Sequence, residues 1–139
     1  MVDPGVFISA LLSDQGAPSR LVQLLASGEF ELVVSEALVG ELSGVLARPK
    51  FAARVSLSDG QAFLAFVRTC AMLVDDPAEP EPIAPDPKDD YLLALADASS
   101  ATHLVTGDRS LRAVSGRSFA LLTPRAFLDE LSEARPAGD

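Results

Sequence analysis

Residues 86–108 read Asp86-Pro87-Lys88-Asp89-Asp90-Tyr91-Leu92-Leu93-Ala94-Leu95-Ala96-Asp97-Ala98-Ser99-Ser100-Ala101-Thr102-His103-Leu104-Val105-Thr106-Gly107-Asp108, and their periodicity decides the fold class. Asp86 suits a helix N-cap and Pro87 the first helical position, where a missing N–H leaves no bond unmade. Leu92, Leu93 and Ala96 then recur on one stripe, which predicts a helix from Pro87 to about Ser99. His103 to Thr106 is short and apolar, predicting a strand, and Gly107-Asp108 turns the chain into a short basic helix. A helix feeding a strand within some twenty residues is the repeating unit of a parallel α/β sheet.

The same alternation extends outward on both sides. Downstream, Phe119 to Leu122 reads as a strand, and Thr123-Pro124 caps a last helix to about Glu133. Upstream, residues 76–87 read DPAEPEPIAPDP and hold five of the ten prolines, which excludes helix or central strand and predicts an extended surface connection. Before it, Ala71 to Val74 is a candidate strand, and Ser58 caps a helix carrying Phe63, Phe66, Val67 and Cys70 on one stripe. Phe30 to Val34 is a further strand; Ser35 caps a helix through Leu46, which Pro49 closes. A helix from Pro18 carries Leu21, Leu24 and Leu25 and stops near Gly28, and Val2-Asp3 is the stub of a first strand. Five strands separated by helices predict a three-layer α/β/α sandwich with a mostly parallel five-stranded sheet. One domain spans residues 1–132, with a mobile tail over 133–139.

Composition bounds the function. The chain has 139 residues, enough for a single core, and 11 Lys and Arg against 20 Asp and Glu give a net charge of −9. Such a balance argues against a broad phosphate-gripping surface, although clustered acids can hold a metal that does the gripping. The lone Cys70 excludes an internal disulfide and a cysteine-built zinc site, and its apolar stripe marks it as core. No apolar run nears the roughly 18 residues of a membrane span, and the N-terminus lacks a basic-then-apolar signal pattern; a cytoplasmic protein without membrane partners is expected. Neither a Gly-rich phosphate loop nor a Gly-x-Ser-x-Gly elbow is present, so P-loop nucleotide binding and serine hydrolysis are unsupported.

Four carboxylates stand out against this frame. In parallel α/β sheets ligands gather beyond the carboxyl ends of the strands. Asp3 follows the first strand and Asp108 the fourth, so both emerge at that edge. Glu41 falls on the apolar stripe of Leu38, Leu42, Val45 and Leu46, and Asp89 on that of Leu92, Leu93 and Ala96. Inward-pointing carboxylates are costly and raise one another's pKa unless a cation compensates. Neither stripe carries Lys or Arg, which points to a metal, and an all-oxygen set suits Mg²⁺ or Mn²⁺. Each acid also has a plainer reading: Asp89 complements the helix dipole, Asp3 and Asp108 act as caps, and Glu41 leans from its stripe to solvent.

The segments Val2-Asp3-Pro4-Gly5-Val6-Phe7-Ile8-Ser9-Ala10-Leu11-Leu12, Phe30-Glu31-Leu32-Val33-Val34-Ser35 with Glu41, residues 86–96, and Leu104-Val105-Thr106-Gly107-Asp108 together resemble the PIN-domain ribonucleases. The nearest branch is the one described as toxins of toxin–antitoxin modules, and the likeness runs from about residue 2 to residue 131. The resemblance places the family's acids on Asp3, Glu41, Asp89 and Asp108, as catalytic and metal-binding residues, and gives Thr106 a supporting role toward the last acid. It implies an Mg²⁺- or Mn²⁺-dependent endonuclease that cuts RNA with metal-activated water, masked by an antitoxin protein and self-associating as a homodimer. Three departures are visible. Asp3-Pro4-Gly5 replaces the family's Asp-Thr-Asn, only Met1 and Val2 precede the first acid where relatives carry a longer strand, and Ser110 stands where many relatives have a further acid.

Arg48, Lys50 and Arg54, and then Arg109, Arg112 and Arg117, hold six of the eleven cations and suit either phosphate contact or a solvated surface. His103 has no partner His or Cys in the sequence pattern, and a structural role is expected. Two rival functions stand beside the nuclease. One is a PIN-like fold without activity that serves as an interaction module. The other is a receiver-type phosphoacceptor, which needs a Lys after the last strand where this chain has Pro124-Arg125.

Overall fold

The computed structural model describes residues 1–134. The chain alternates helices with short strands: α1 (Pro4–Leu12), α2 (Ala17–Ala26), β1 (Leu32–Val34), α3 (Glu36–Leu46), α4 (Pro49–Ala52), α5 (Leu57–Cys70) and β2 (Ala71–Leu73) come first. A 3₁₀ turn (Pro87–Asp89), α6 (Asp90–Ala98), β3 (His103–Val105), α7 (Arg109–Arg112), β4 (Ala120–Leu122) and α8 (Pro124–Ala134) follow. The α/β alternation is as expected, but the continuous five-stranded sheet is not. Among the described residues, β1 pairs with β2 in parallel, β3 pairs with β4 in parallel, and Val2 meets Val105 in an isolated parallel bridge.

The reason lies in the first three residues. Asp3 N–H donates to Val105 O and Val105 N–H to Met1 O, both at 2.9 Å, so the segment lies on the side of β3 away from β4. Asp3 then caps α1, its carboxylate accepting from Gly5 N–H at 3.0 Å, and Pro4 starts the helix. The extended run ends before it can form a ladder with β1. A cleft of about 490 Å³ remains between the two half-sheets, with Val33 and Met72 on one wall and Val2 and Val105 on the other.

Several boundaries differ from the periodicity, each for a local reason. Residues 4–12, left unassigned by sequence pattern, form α1; Val6, Phe7 and Ile8 are buried and no polar face breaks the run into a stripe. Ser56 rather than Ser58 caps α5, accepting from Asp59 N–H at 3.0 Å. Pro49 closes α3 but also opens α4 as its first residue. Pro87 starts a 3₁₀ turn instead of the α-helix proper, which begins at Asp90. Phe30, Glu31, Val74, Thr106 and Phe119 fall outside the strands, and Glu133 and Ala134 belong to α8 rather than to a tail. Residues 135–139 of the expected tail lie outside the described residues.

The core gathers Phe7, Leu21, Leu32, Leu38, Leu42 and the Leu92–Leu93–Leu95 cluster, all at most 1% exposed. Phe7 meets Phe63 edge-on at 5.7 Å, which ties α1 to α5, and Phe30 meets Phe127 at 5.2 Å. The Pro-rich connection is tethered by Asp90, whose carboxylate accepts from Ile83 N–H at 2.9 Å and Ala84 N–H at 2.6 Å. His103 bridges Thr102 and Glu130, each at 2.7 Å, in the structural role expected of it. Among the described residues no helix is long and apolar enough to cross a membrane.

Candidate active site

Among the described residues two polar side chains are fully buried, Ser35 and Thr106, and both sit just beyond a strand end. Thr106 organises the edge where the acids collect. Its hydroxyl donates to Asp3 Oδ2 at 2.7 Å and accepts from Asp108 N–H at 3.1 Å. One side chain therefore ties the first acid to the backbone of the last. The remaining Asp3 oxygen, Oδ1, is the α1 cap. Asp108 in turn caps α7, its Oδ1 accepting from Ser110 N–H at 2.9 Å. The capping readings of Asp3 and Asp108 thus hold, and they fix both carboxylates at the carboxyl edge of the strands.

Glu41 departs from expectation. It is exposed, at the rim of the stripe whose buried members are Leu38 and Leu42. Its carboxylate is nevertheless engaged, because the Tyr91 hydroxyl on α6 donates to Glu41 Oε2. Asp108 is exposed too, whereas Asp3 and Asp89 are half-buried. The cost of burial is therefore smaller than an inward-pointing set would imply, and mutual repulsion is what unites the four.

Asp89, which ends the 3₁₀ turn, records that repulsion. Its carboxyl is pushed up to about 6, first by partial burial and then by the charges of Asp3, Asp86, Asp108 and Glu41. The Tyr91 phenol is pushed up for related reasons: burial first, then its bond to Glu41 and the charges of Glu41, Asp3 and Asp89. Asp3, Glu41, Asp89 and Asp108 therefore share one electrostatic neighbourhood although they come from four separate segments. Asp86, Asp89 and Asp108 line a cleft of about 290 Å³ together with Pro85, Ser110 and Leu111. It is smaller than the cleft between the half-sheets, but it is the one that Asp89 and Asp108 line together.

The ion pairs of the described residues, Arg68–Glu36, His103–Glu130 and Arg117–Asp97, leave these four acids without a cationic partner. Arg112 donates to Thr106 O at 3.3 Å. Arg109 is exposed at the start of α7. Arg48, Lys50 and Arg54 are exposed around α4, beyond the end of the helix that carries Glu41. Arg117 is held by Asp97 at 3.2 Å and is not among the residues brought to the acids.

A family model described as PIN domain matches residues 1–110, which include all four acids and Thr106. The chain belongs to the PIN-domain family. PIN domains are generally metal-dependent nucleases. No curated protein and no solved structure matches this PIN domain. The match stops short of Arg112, β4 and α8.

The donor chemistry of the site fits a hard divalent ion: the donors are carboxylate oxygens, and burial together with the neighbouring negative charges raises the pKa of Asp89 to about 6. Among the described residues, no three His, Cys, Asp or Glu side chains form a ready-made cage. Mg²⁺ does not require one, since it keeps several waters and is commonly held by one or two carboxylates. Two participants escape sequence reasoning, Asp86 and Tyr91. Asp86 reads only as a helix cap, and it does cap, accepting from Lys88 N–H at 3.0 Å. Tyr91 carries a faint signal as the only tyrosine, but nothing in its spacing connects it to Glu41 fifty residues earlier.

Proposed function

We propose that this PIN domain is an Mg²⁺- or Mn²⁺-dependent RNA endonuclease, the toxin of a toxin–antitoxin module acting in the cytoplasm. Asp3, Glu41, Asp89 and Asp108 would hold the ion, and the observation carrying this reading is that Thr106 ties Asp3 to Asp108 at the strand edge, beside an Asp89 whose pKa is raised first by burial and then by the surrounding carboxylates. A divalent ion bound there supplies Lewis acidity toward a phosphodiester and a water of lowered pKa. The chain's own residues do the rest. Thr106 holds Asp3 and the Asp108 backbone in register. Asp89, ionised once its proton is displaced, carries negative charge that water and the other carboxylates cannot neutralise. Arg109 and Arg112, with Arg48, Lys50 and Arg54 further out, would contact RNA phosphates and orient the strand. The antitoxin protein and a second copy of the chain as partners follow from the family resemblance.

The test is cleavage of end-labelled RNA with Mn²⁺ or Mg²⁺, comparing wild type, Asp108→Asn and an EDTA control. Asn retains the oxygen that caps α7 while removing the charge, so loss of cutting in a folded variant reports on chemistry. Cutting that persists in Asp108→Asn or in EDTA overturns the assignment. A second reading, an interaction module without activity, is favoured by Gly5 and by the absence of a preformed cage among the described residues. It predicts neither cutting nor thermal stabilisation by Mn²⁺.

A further inference from the structure

We propose that Tyr91 is the positioning residue for Glu41: its phenol holds that carboxylate, delivered by a different helix, against the acids gathered around Asp89. The inference rests on reading those acids as an ion site and deepens it. Glu41 is exposed on α3, and its charge and that of Asp89 repel one another. Among the described residues its one hydrogen-bonding partner is the Tyr91 hydroxyl. Tyr91 is well placed to resist the repulsion. It stands in the first turn of α6, two residues after Asp89, and its half-buried ring packs against the core beside Leu92, Leu93 and Leu95.

The chemistry of the donor matters as much as its place. A Lys or Arg in this position would also hold Glu41, but its charge would neutralise the site and compete with a metal ion. A phenol donates one hydrogen bond and leaves the negative charge intact. It engages Oε2 and, among the described residues, leaves Oε1 without a protein donor. Tyr91 thus fixes the carboxylate before an ion arrives without discharging it, which is how an outer partner of a metal ligand strengthens binding.

The chain has one tyrosine and no tryptophan, so its ultraviolet emission reports on this phenol alone. The experiment uses the full chain as wild type, Tyr91→Phe, Glu41→Gln and the double variant. Mn²⁺ affinity is measured by calorimetry and Mg²⁺ titrations are followed by tyrosine emission. Tyr91→Phe is expected to weaken Mn²⁺ binding about tenfold, the lower end for loss of an outer partner, and to shift the Mn²⁺ demand of RNA cleavage by the same factor. In the Glu41→Gln background the same change is expected to cost nothing more, because the phenol acts through Glu41. Mg²⁺ is expected to alter tyrosine emission in wild type and not in Glu41→Gln, an arm in which Tyr91 is untouched.

Wild-type Mn²⁺ affinity in Tyr91→Phe, an equal loss in both backgrounds, or a Mg²⁺-induced emission change that persists in Glu41→Gln overturns the inference while leaving the ion site standing. If wild type binds neither ion, the ion site itself is overturned and the inference falls with it.

Discussion

Asp89 and Asp90 are neighbours with opposite assignments. The Asp90 carboxylate accepts two backbone N–H groups of the Pro-rich connection, those of Ile83 and Ala84, so it holds the loop. Asp89 is raised to about 6 by burial and by like charges, so it opposes the fold when ionised. Asp90→Ala is therefore expected to destabilise by about 1–3 kcal/mol, the cost of stranding partly buried donors, read as a lower denaturation midpoint. Asp89→Asn is expected to raise the melting temperature of the ion-free chain at pH 7 and to abolish its response to Mn²⁺. A shared loss of stability in both variants would remove the distinction. Gly5 offers a gain rather than a loss. A Cβ there would meet Asp3 Oδ1 at 3.7 Å, an ordinary contact, and the residue lies in the first turn of α1. Gly5→Asn restores the family's side chain beside Asp3, and is expected to raise the melting temperature slightly through helix propensity and to tighten Mn²⁺ binding. Unchanged Mn²⁺ affinity in that variant would show that Asp3 lacks no support from Gly5.

At the scale of elements, the site depends on how chain segments begin. Ser35 is fully buried between β1 and α3, and its hydroxyl accepts from Leu38 N–H at 3.2 Å. Removing it in Ser35→Ala is expected to cost about 1 kcal/mol of stability and loosen the helix that carries Glu41. Urea denaturation with an unchanged midpoint would refute this. The same cap was legible in the sequence, as were Thr123 and the turn at Asp108, because capping chemistry is local. The edge on which Asp3 and Asp108 emerge was legible too, since it follows from strand direction. What escaped depended on distant partners or on the absence of a pattern. Helix α1 is apolar almost throughout and so shows no stripe. The split sheet depends on a first strand that ends where Asp3 begins to cap. Spacing puts Glu41 on an inward stripe because it gives an angle around the helix and not the depth of the neighbours. Its contact with Tyr91 exists only once α3 and α6 are packed.

For the whole molecule, a net charge of −9 means that divalent ion and proton compete for the same negative field. Asp89 sets the sign of the pH dependence. Its folded pKa, about 6, lies above its ordinary 3.8, so between those values the unfolded chain has released a proton that the folded chain still holds. Stability from this group is then lost as pH rises from 4 through 6, and the full penalty persists above. A bound ion reverses the balance, because it needs Asp89 ionised and displaces the proton. Without divalent ions, the difference in melting temperature between wild type and Asp89→Asn is expected to move against wild type from pH 4 to pH 7; taking the difference cancels the carboxylates that do not interact with Asp89. With saturating Mn²⁺, wild type is expected to gain stability across the same range, by about 2.7 kcal/mol at one hundred times the dissociation constant. Thermal denaturation at pH 4, 5, 6 and 7, with and without Mn²⁺, checks both slopes. Parallel curves for the two chains in the absence of ion would mean that neither burial nor the acids around it raise the pKa of Asp89. An ion-free slope of the expected sign with no Mn²⁺ gain would leave a charged cleft that binds no metal, and would favour the interaction module over the nuclease.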